Sequence, residues 1–184
     1  DDIAALEIMG PHADLIGMSF VRTAGDLDRL FAHMHRLHLT DRGVVAKIET
    51  RDGFENLPQI LFAGLRHPPF GIMVARGDLA VEIGFERLAE VQEEMLWLCE
   101  AAHVPIIWAT QVLEGMAKKG LPTRAEVSDA AMSVRAECVM LNKGPFIVET
   151  VQFLSDVLHR MAAHQSKKRS LLRHLHVSDP RSSR

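Results

Sequence analysis

The sequence predicts an α/β fold made of five parallel βα units. Two observations carry this. Short apolar stretches recur roughly every 30 residues, and a longer segment with apolar residues at helical spacing follows each one. Parallel neighbours need a crossover of a dozen or more residues, usually a helix, and this period supplies it.

Taken in order, Asp1 to Met9 is acidic at its start and reads as a short helix that Gly10-Pro11 ends. Ala13 to Val21 is the first strand-like stretch. Thr23 to Leu39 places Leu27, Leu30, Phe31, Met34 and Leu37 on one helical face. Gly43 to Glu49 is the second strand, and Phe54 to Leu65 a helix with Leu57, Ile60 and Leu61 inward. Gly71 to Ala75 is the third strand, from which Arg76-Gly77-Asp78 turns the chain sharply. Glu86 to Ala102 is a helix with Leu88, Val91, Met95 and Leu98 in its buried stripe. Val104 to Val112 is the fourth strand, Thr123 to Arg135 a helix, and Glu137 to Leu141 the fifth strand. Pro145 to Ala163 closes the series as an amphipathic helix. The folded domain is expected over residues 1–163. Residues 164–184 form a basic tail expected to be flexible and solvated.

Composition bounds the class. The 184 residues are 47% hydrophobic and 24% charged with a net charge of -3, as in a soluble domain with a sizeable core. That balance argues against nucleic-acid and membrane partners. Neither a signal peptide nor 18 consecutive apolar residues is found. Cys99 and Cys138 lie in apolar stretches without metal-ligand spacing, so both are expected to be reduced core residues of a cytoplasmic protein.

Five units are too few to close an eight-stranded barrel, which takes about 250 residues. The pattern leaves two architectures open: a doubly wound open sheet, or part of a (β/α)₈ TIM barrel. In either, ligands collect at the carboxyl ends of the strands. This chain puts Ser19-Phe20, Lys47-Ile48-Glu49, Arg76-Gly77-Asp78, Thr110-Gln111 and Asn142-Lys143-Gly144 there. Strand alternation turns Lys47 and Glu49 to the same side. Gly77 lets the backbone approach a ligand, and the amides after it have no helical partner, which suits an anion. Asp78 adds a carboxylate of the kind Mg²⁺ or Mn²⁺ prefers, although an isolated strand-Gly-Asp turn equally suits a helix N-cap. Glu49 and Asp78 could grip one divalent ion, with Lys47 facing an oxygen that becomes anionic during reaction; a structural Lys-Glu pair is the plainer reading.

Several consecutive motifs in one register resemble the pyruvate kinase family. They are Met18-Ser19-Phe20-Val21-Arg22, Ala46-Lys47-Ile48-Glu49-Thr50-Arg51-Asp52-Gly53, Gly71 to Leu79, Ala109-Thr110-Gln111-Val112-Leu113-Glu114, Pro122-Thr123-Arg124-Ala125-Glu126 and Cys138-Val139-Met140-Leu141. The resemblance spans about Asp1 to Met161 and implies strands four to eight of a partial (β/α)₈ barrel, without the lid or the C-terminal domain. It implies Lys47 as the lysine that stabilises the transferring phosphoryl group and the enolate, and Glu49 and Asp78 as ligands of Mg²⁺ or Mn²⁺. Ala75, Gly77 and Asp78 match the turn that cradles the substrate carboxylate. Thr110 matches the threonine beside the enolate carbon, and Arg124 falls near a subunit interface.

The implied activity is phosphoryl transfer between phosphoenolpyruvate and ADP, giving pyruvate and ATP in glycolysis. The chain is expected to hold the metal and enolate half of the site and to have little or no turnover alone. The family's ADP/ATP contacts, and its ligands for K⁺, lie on the first three strands, before this chain. Assembly as a homo-oligomer or completion by another barrel segment is expected. The pattern departs from the family at Asn142-Lys143-Gly144-Pro145, where Ser-Gly-Glu-Thr is usual, and at Phe54, where a smaller aliphatic is usual. This leaves a metal-dependent lyase, aldolase or decarboxylase of a 2-oxo acid, or a non-catalytic domain, as alternatives.

Overall fold

The computed structural model describes residues 2–168. Five strands, β1 (Leu15–Met18), β2 (Gly43–Ile48), β3 (Phe70–Ala75), β4 (Ile106–Val112) and β5 (Cys138–Leu141), form one sheet in the order β1-β2-β3-β4-β5. Every neighbouring pair is parallel. Nine α-helices are found among the described residues: α1 (Asp2–Met9), α2 (Ala24–Arg36), α3 (Arg51–Glu55), α4 (Leu57–Gly64), α5 (Arg76–Ile83), α6 (Leu88–Ala102), α7 (Glu114–Lys119), α8 (Arg124–Met132) and α9 (Ile147–Lys168).

Strand order decides between the two architectures. A doubly wound sheet reverses its order at a switch point, which sends helices to both faces. Here the strands run in sequence without reversal. Crossovers between parallel strands are right-handed almost without exception, so a sequential order sends each helix to the same face. The register agrees. One set of side chains, Ala46, Ile72 and Ile106 with Ile48, Val74 and Trp108, lies in paired rows and belongs to the core against the helices. The alternate row pairs Gly17 with Val45 and Val45 with Gly71, and then Lys47 with Met73, Met73 with Ile107 and Ile107 with Cys138; none of these belongs to that core. The fold is α/β with five parallel βα units in the manner of a partial barrel.

Most predicted elements are present, and the differences have local causes. β1 is shorter than Ala13 to Val21 because Phe20 takes a left-handed backbone (φ 55°) that ends the extended run. The helix expected over Phe54 to Leu65 starts earlier, at Arg51, and breaks at Asn56. Thr50 caps its first part by accepting from the Gly53 N–H at 3.1 Å. Pro58, which lacks an N–H, restarts the helix as the second residue of α4. The helix expected from Glu86 begins as a short 3₁₀ turn, Phe85–Arg87, and continues as α6. Helices α5 and α7 carry no long apolar stripe, so the periodicity does not predict them. α9 reaches Lys168, five residues past the expected domain end at 163. Residues 169–184 of the expected tail lie outside the described residues.

Cys138 is a correction. It was expected in the core, but it is exposed, whereas Cys99 is buried in α6. β5 is an edge strand with alternating exposure, and Cys138 lies in the row with Ile107, away from the helices. An apolar run cannot reveal that only one of its faces is covered. Among the described residues no helix is long and apolar enough to cross a membrane.

The two thiols should therefore behave differently. Burial, and then the charge of Glu137, push the Cys99 thiol up to about 12. A disulfide reagent such as DTNB at pH 8 should titrate Cys138 promptly in the native chain and Cys99 only in denaturant. Two thiols reacting at one native rate would contradict the assigned packing.

Candidate functional site

The polar residues at the carboxyl ends of the strands converge as neighbours. Lys47 of β2 and Glu49, the residue just after that strand, lie two residues apart in extended chain and so on one side. The Lys47 ammonium stands 3.0 Å from Glu49 Oε1 and donates to Ser19 Oγ of the β1 end at 2.8 Å. The other Glu49 oxygen, Oε2, accepts from the Phe20 backbone N–H at 2.5 Å. The Glu49 residue is 3% exposed, so the carboxylate is a buried charge held by one ammonium and one amide. The left-handed backbone at Phe20 aims its N–H at that carboxylate. Each carboxylate oxygen keeps a lone pair beyond these contacts.

The β3 end supplies the second part. The β2–β3 register runs to Ile48 opposite Val74, so Glu49 and Ala75 end the two strands side by side. Ala75 is the N-cap of α5, and Arg76, Gly77 and Asp78 form its first turn. Asp78 is therefore not the N-cap, which removes the plainer reading of its position. It is exposed, and its carboxylate has no hydrogen bond or ion pair among the described residues. Its place in the first turn sets it beside amides that lack intrahelical acceptors.

Near the β4 end the strand is irregular: Thr110 (φ 73°) and Gln111 (φ 58°) take positive φ where the β4–β5 register shifts between Trp108 and Val112, and Leu113 (φ 49°) follows the strand. Such a conformation is uncommon for any non-glycine residue and costly for β-branched threonine. A Cβ placed on Gly77 would lie 2.9 Å from Thr110 Cγ2, so the glycine gives the threonine its room. The buried Arg76 guanidinium donates through Nε to the Ala109 carbonyl at 2.7 Å and through Nη2 to the Thr110 carbonyl at 2.6 Å. It also pairs with Asp129 of α8 and lies 4.7 Å over the Trp108 ring. The sequence shows Arg76 only as part of a turn. Neither its burial nor its acceptors could be read from spacing.

The β5 end behaves differently. Asn142 Nδ2 donates to Glu114 Oε1 at 3.3 Å, while Lys143 is exposed. Glu126 holds the segment between: its carboxylate accepts from the Thr123 N–H at 2.8 Å and from the Gly115 N–H, tying α7 to the start of α8. Burial alone would raise the Glu126 carboxyl, but the Thr123 and Gly115 amides, the Thr123 hydroxyl and Lys119 outweigh it and hold the group below its usual range.

The donor chemistry suits a hard divalent cation. A pinned carboxylate and an exposed one stand at the ends of adjoining strands, beside an ammonium and a glycine turn. Among the described residues no cluster of three or more His, Cys, Asp or Glu is arranged to hold a metal. Mg²⁺ commonly binds through one or two carboxylates and completes its shell with water and substrate oxygens.

A family model for the barrel domain of pyruvate kinase matches residues 2–151. Pyruvate kinase of Leishmania mexicana is 39% identical over 153 residues, which is 78% of this chain and 29% of that protein. Plastidial pyruvate kinase 3, chloroplastic, of Arabidopsis thaliana is 37% identical over 158 residues, 83% of this chain and 27% of its own length. Pyruvate kinase of Bacillus licheniformis is 35% identical over 164 residues, 86% of this chain and 27% of its own length. The chain thus spans less than a third of each of these relatives.

Glu126→Gln should cost about 1 kcal/mol at neutral pH, the scale of a lost capping interaction. The carboxyl is depressed below its ordinary value of 4.5 in the folded state, so its contribution is complete above that value and is lost as pH falls through the folded-state value. Urea unfolding should show a constant gap between parent and variant from pH 7 to 5 that closes towards pH 3. A gap independent of pH down to 3 would refute the assignment.

Proposed function

Because the chain belongs to the pyruvate kinase family, we propose that its strand ends form the metal and enolate half of a phosphoryl-transfer site. The substrates are phosphoenolpyruvate and ADP, and the products pyruvate and ATP. The observation that supports this best is the grouping of Lys47, Glu49 and the Gly77–Asp78 turn on the ends of two adjoining strands.

In this reading Glu49 and Asp78 hold the divalent ion. When bound, Mg²⁺ or Mn²⁺ supplies Lewis-acid charge to the substrate's oxygens. The amides of the α5 first turn, with Ala75 and Gly77 leaving space beside them, bind the substrate carboxylate. The phosphoryl group moves from the enol oxygen of phosphoenolpyruvate to ADP, and Lys47 faces the charge that develops on the transferring group and on the enol oxygen. Its ammonium is already oriented by Glu49 and Ser19, so little reorganisation is needed as charge appears. The enolate then takes a proton at its methylene carbon to give pyruvate, and Thr110 lies at the strand end where that carbon would sit. The nucleotide contacts belong to parts of the whole enzyme outside this chain. The chain alone binds the three-carbon ligand and turns over little or no phosphoenolpyruvate.

Calorimetric titration with oxalate, whose paired oxygens mimic the enolate, tests this directly. Binding should require Mg²⁺, and Glu49→Gln or Asp78→Asn should each weaken it about 10- to 100-fold. Equal binding with and without Mg²⁺ would reject the metal assignment. Nucleotide-free decarboxylation of oxaloacetate would favour a lyase instead.

In the complete enzyme, Lys47→Met should lower turnover about 10³-fold while leaving Mg²⁺-dependent oxalate binding within about tenfold. A variant with full turnover would remove Lys47 from the mechanism.

A further inference from the structure

We infer that Arg76 is a positioning residue that holds Thr110 in its working orientation through the Thr110 backbone, with Asp129 keeping the guanidinium in place. The inference rests on the reading of Thr110 as the proton-transfer residue and adds how that residue is held.

Three independent features converge on one peptide. The Thr110 backbone is left-handed, a conformation that a β-branched residue keeps only when its surroundings impose it. Its carbonyl accepts from Arg76 Nη2 at 2.6 Å, and the preceding carbonyl, of Ala109, accepts from Nε at 2.7 Å. This two-pronged grip on successive carbonyls fixes the orientation of the peptide plane between them, as a planar guanidinium can and an ammonium cannot. The Thr110 methyl packs where a Gly77 Cβ would otherwise stand, so its side chain is confined from the α5 side as well. The grip has its own support. Asp129 neutralises the guanidinium from α8, and the Trp108 ring lies beneath it at 4.7 Å.

Arg76 follows Ala75 directly and precedes Gly77 and Asp78 on the same turn. One side chain therefore links the turn that would carry the anion cradle and a metal ligand to the strand end that carries the hydroxyl. Arg76 makes no direct contribution to the chemistry in this scheme. It sets where the Thr110 hydroxyl stands when a methyl C–H bond of bound pyruvate breaks, its proton passes to solvent, and a solvent proton returns to the enolate carbon.

The test compares the parent chain with Arg76→Lys, Asp129→Asn, Thr110→Ala and the Arg76→Lys/Thr110→Ala double variant, each first checked for folding by circular dichroism. Three quantities are read: Mg²⁺-dependent oxalate binding, exchange of pyruvate methyl protons in D₂O by NMR, and amide hydrogen exchange of residues 108–114. Arg76→Lys should leave oxalate binding within about threefold but slow methyl exchange about 100-fold, the scale expected when a reacting group is misplaced by an ångström. The double variant should be no slower than Thr110→Ala. Amide exchange of residues 110–113 should rise at least about tenfold while residues 72–75 stay protected. Should Arg76→Lys fail to fold, Asp129→Asn carries the same test, with about a tenfold loss of methyl exchange. Losses that add in the double variant, parallel losses in binding and exchange, or unchanged amide protection at residues 110–113 would each overturn the inference. If the parent chain neither binds oxalate nor exchanges methyl protons, the proposed function fails, and amide protection alone decides whether Arg76 holds the Thr110 backbone.

Discussion

A right-handed crossover between adjoining parallel strands puts its helix on a fixed side of the sheet, and here that choice repeats at every step of a sequential order. The helical side takes the large apolar residues, with Ile72, Trp108 and Leu57 fully buried. The other row is left to glycine, Val45, the half-buried Met73 and Ile107, Lys47 and Cys138. Because all five strands point the same way, all five carboxyl ends lie at one end of the sheet. The placement of Ser19, Lys47, Glu49, Asp78 and Thr110 at one end of the sheet follows from this single geometric constraint and needs no special loop to bring it about.

Within that cluster, the costly element is Glu49. A buried carboxylate is tolerable only with partners that compensate its lost hydration, and it has two, one from each of the strands β2 and β1 extended. The ammonium comes from its own strand and the amide from Phe20, whose left-handed backbone is itself unfavourable. A second strained stretch, at Thr110, Gln111 and Leu113, lies three strands away, on β4. Of the six non-glycine residues with positive φ among the described residues, four lie at these strand ends, while His38 and His103 follow helices α2 and α6; the Arg76 guanidinium holds the stretch at Thr110.

Much of this was legible in the residues. The five strands declared themselves because buried parallel strands are continuous apolar runs, and Lys47 and Glu49 stood out as charges inside one. Their pairing followed from alternation. The choice between a barrel-like and a doubly wound arrangement did not, since strand order is a long-range property that leaves no local trace; the family resemblance favoured the former, and the topology agrees. Helices α5 and α7 leave no clear signal in the residues because they are short and lack an apolar stripe. Arg76 and Asp129 are 53 residues apart, and no spacing rule links them. The Phe20 amide is a backbone group, invisible to any reading of side chains. An edge strand can be as apolar as a central one, so the run around Cys138 does not show that its thiol is exposed.

The Lys47 ammonium bridges two strands, touching Glu49 on its own and Ser19 on β1. Sliding β1 along β2 by one residue, about 3.3 Å, would carry both the serine hydroxyl and the Phe20 amide out of reach at once. The buried carboxylate would then lose one of its two supports, and the lysine would swing toward solvent. Alignment of an outermost strand and the charge balance of the cluster are consequently a single mechanical variable: whatever steadies β1 also tunes the electrostatic field at the strand ends.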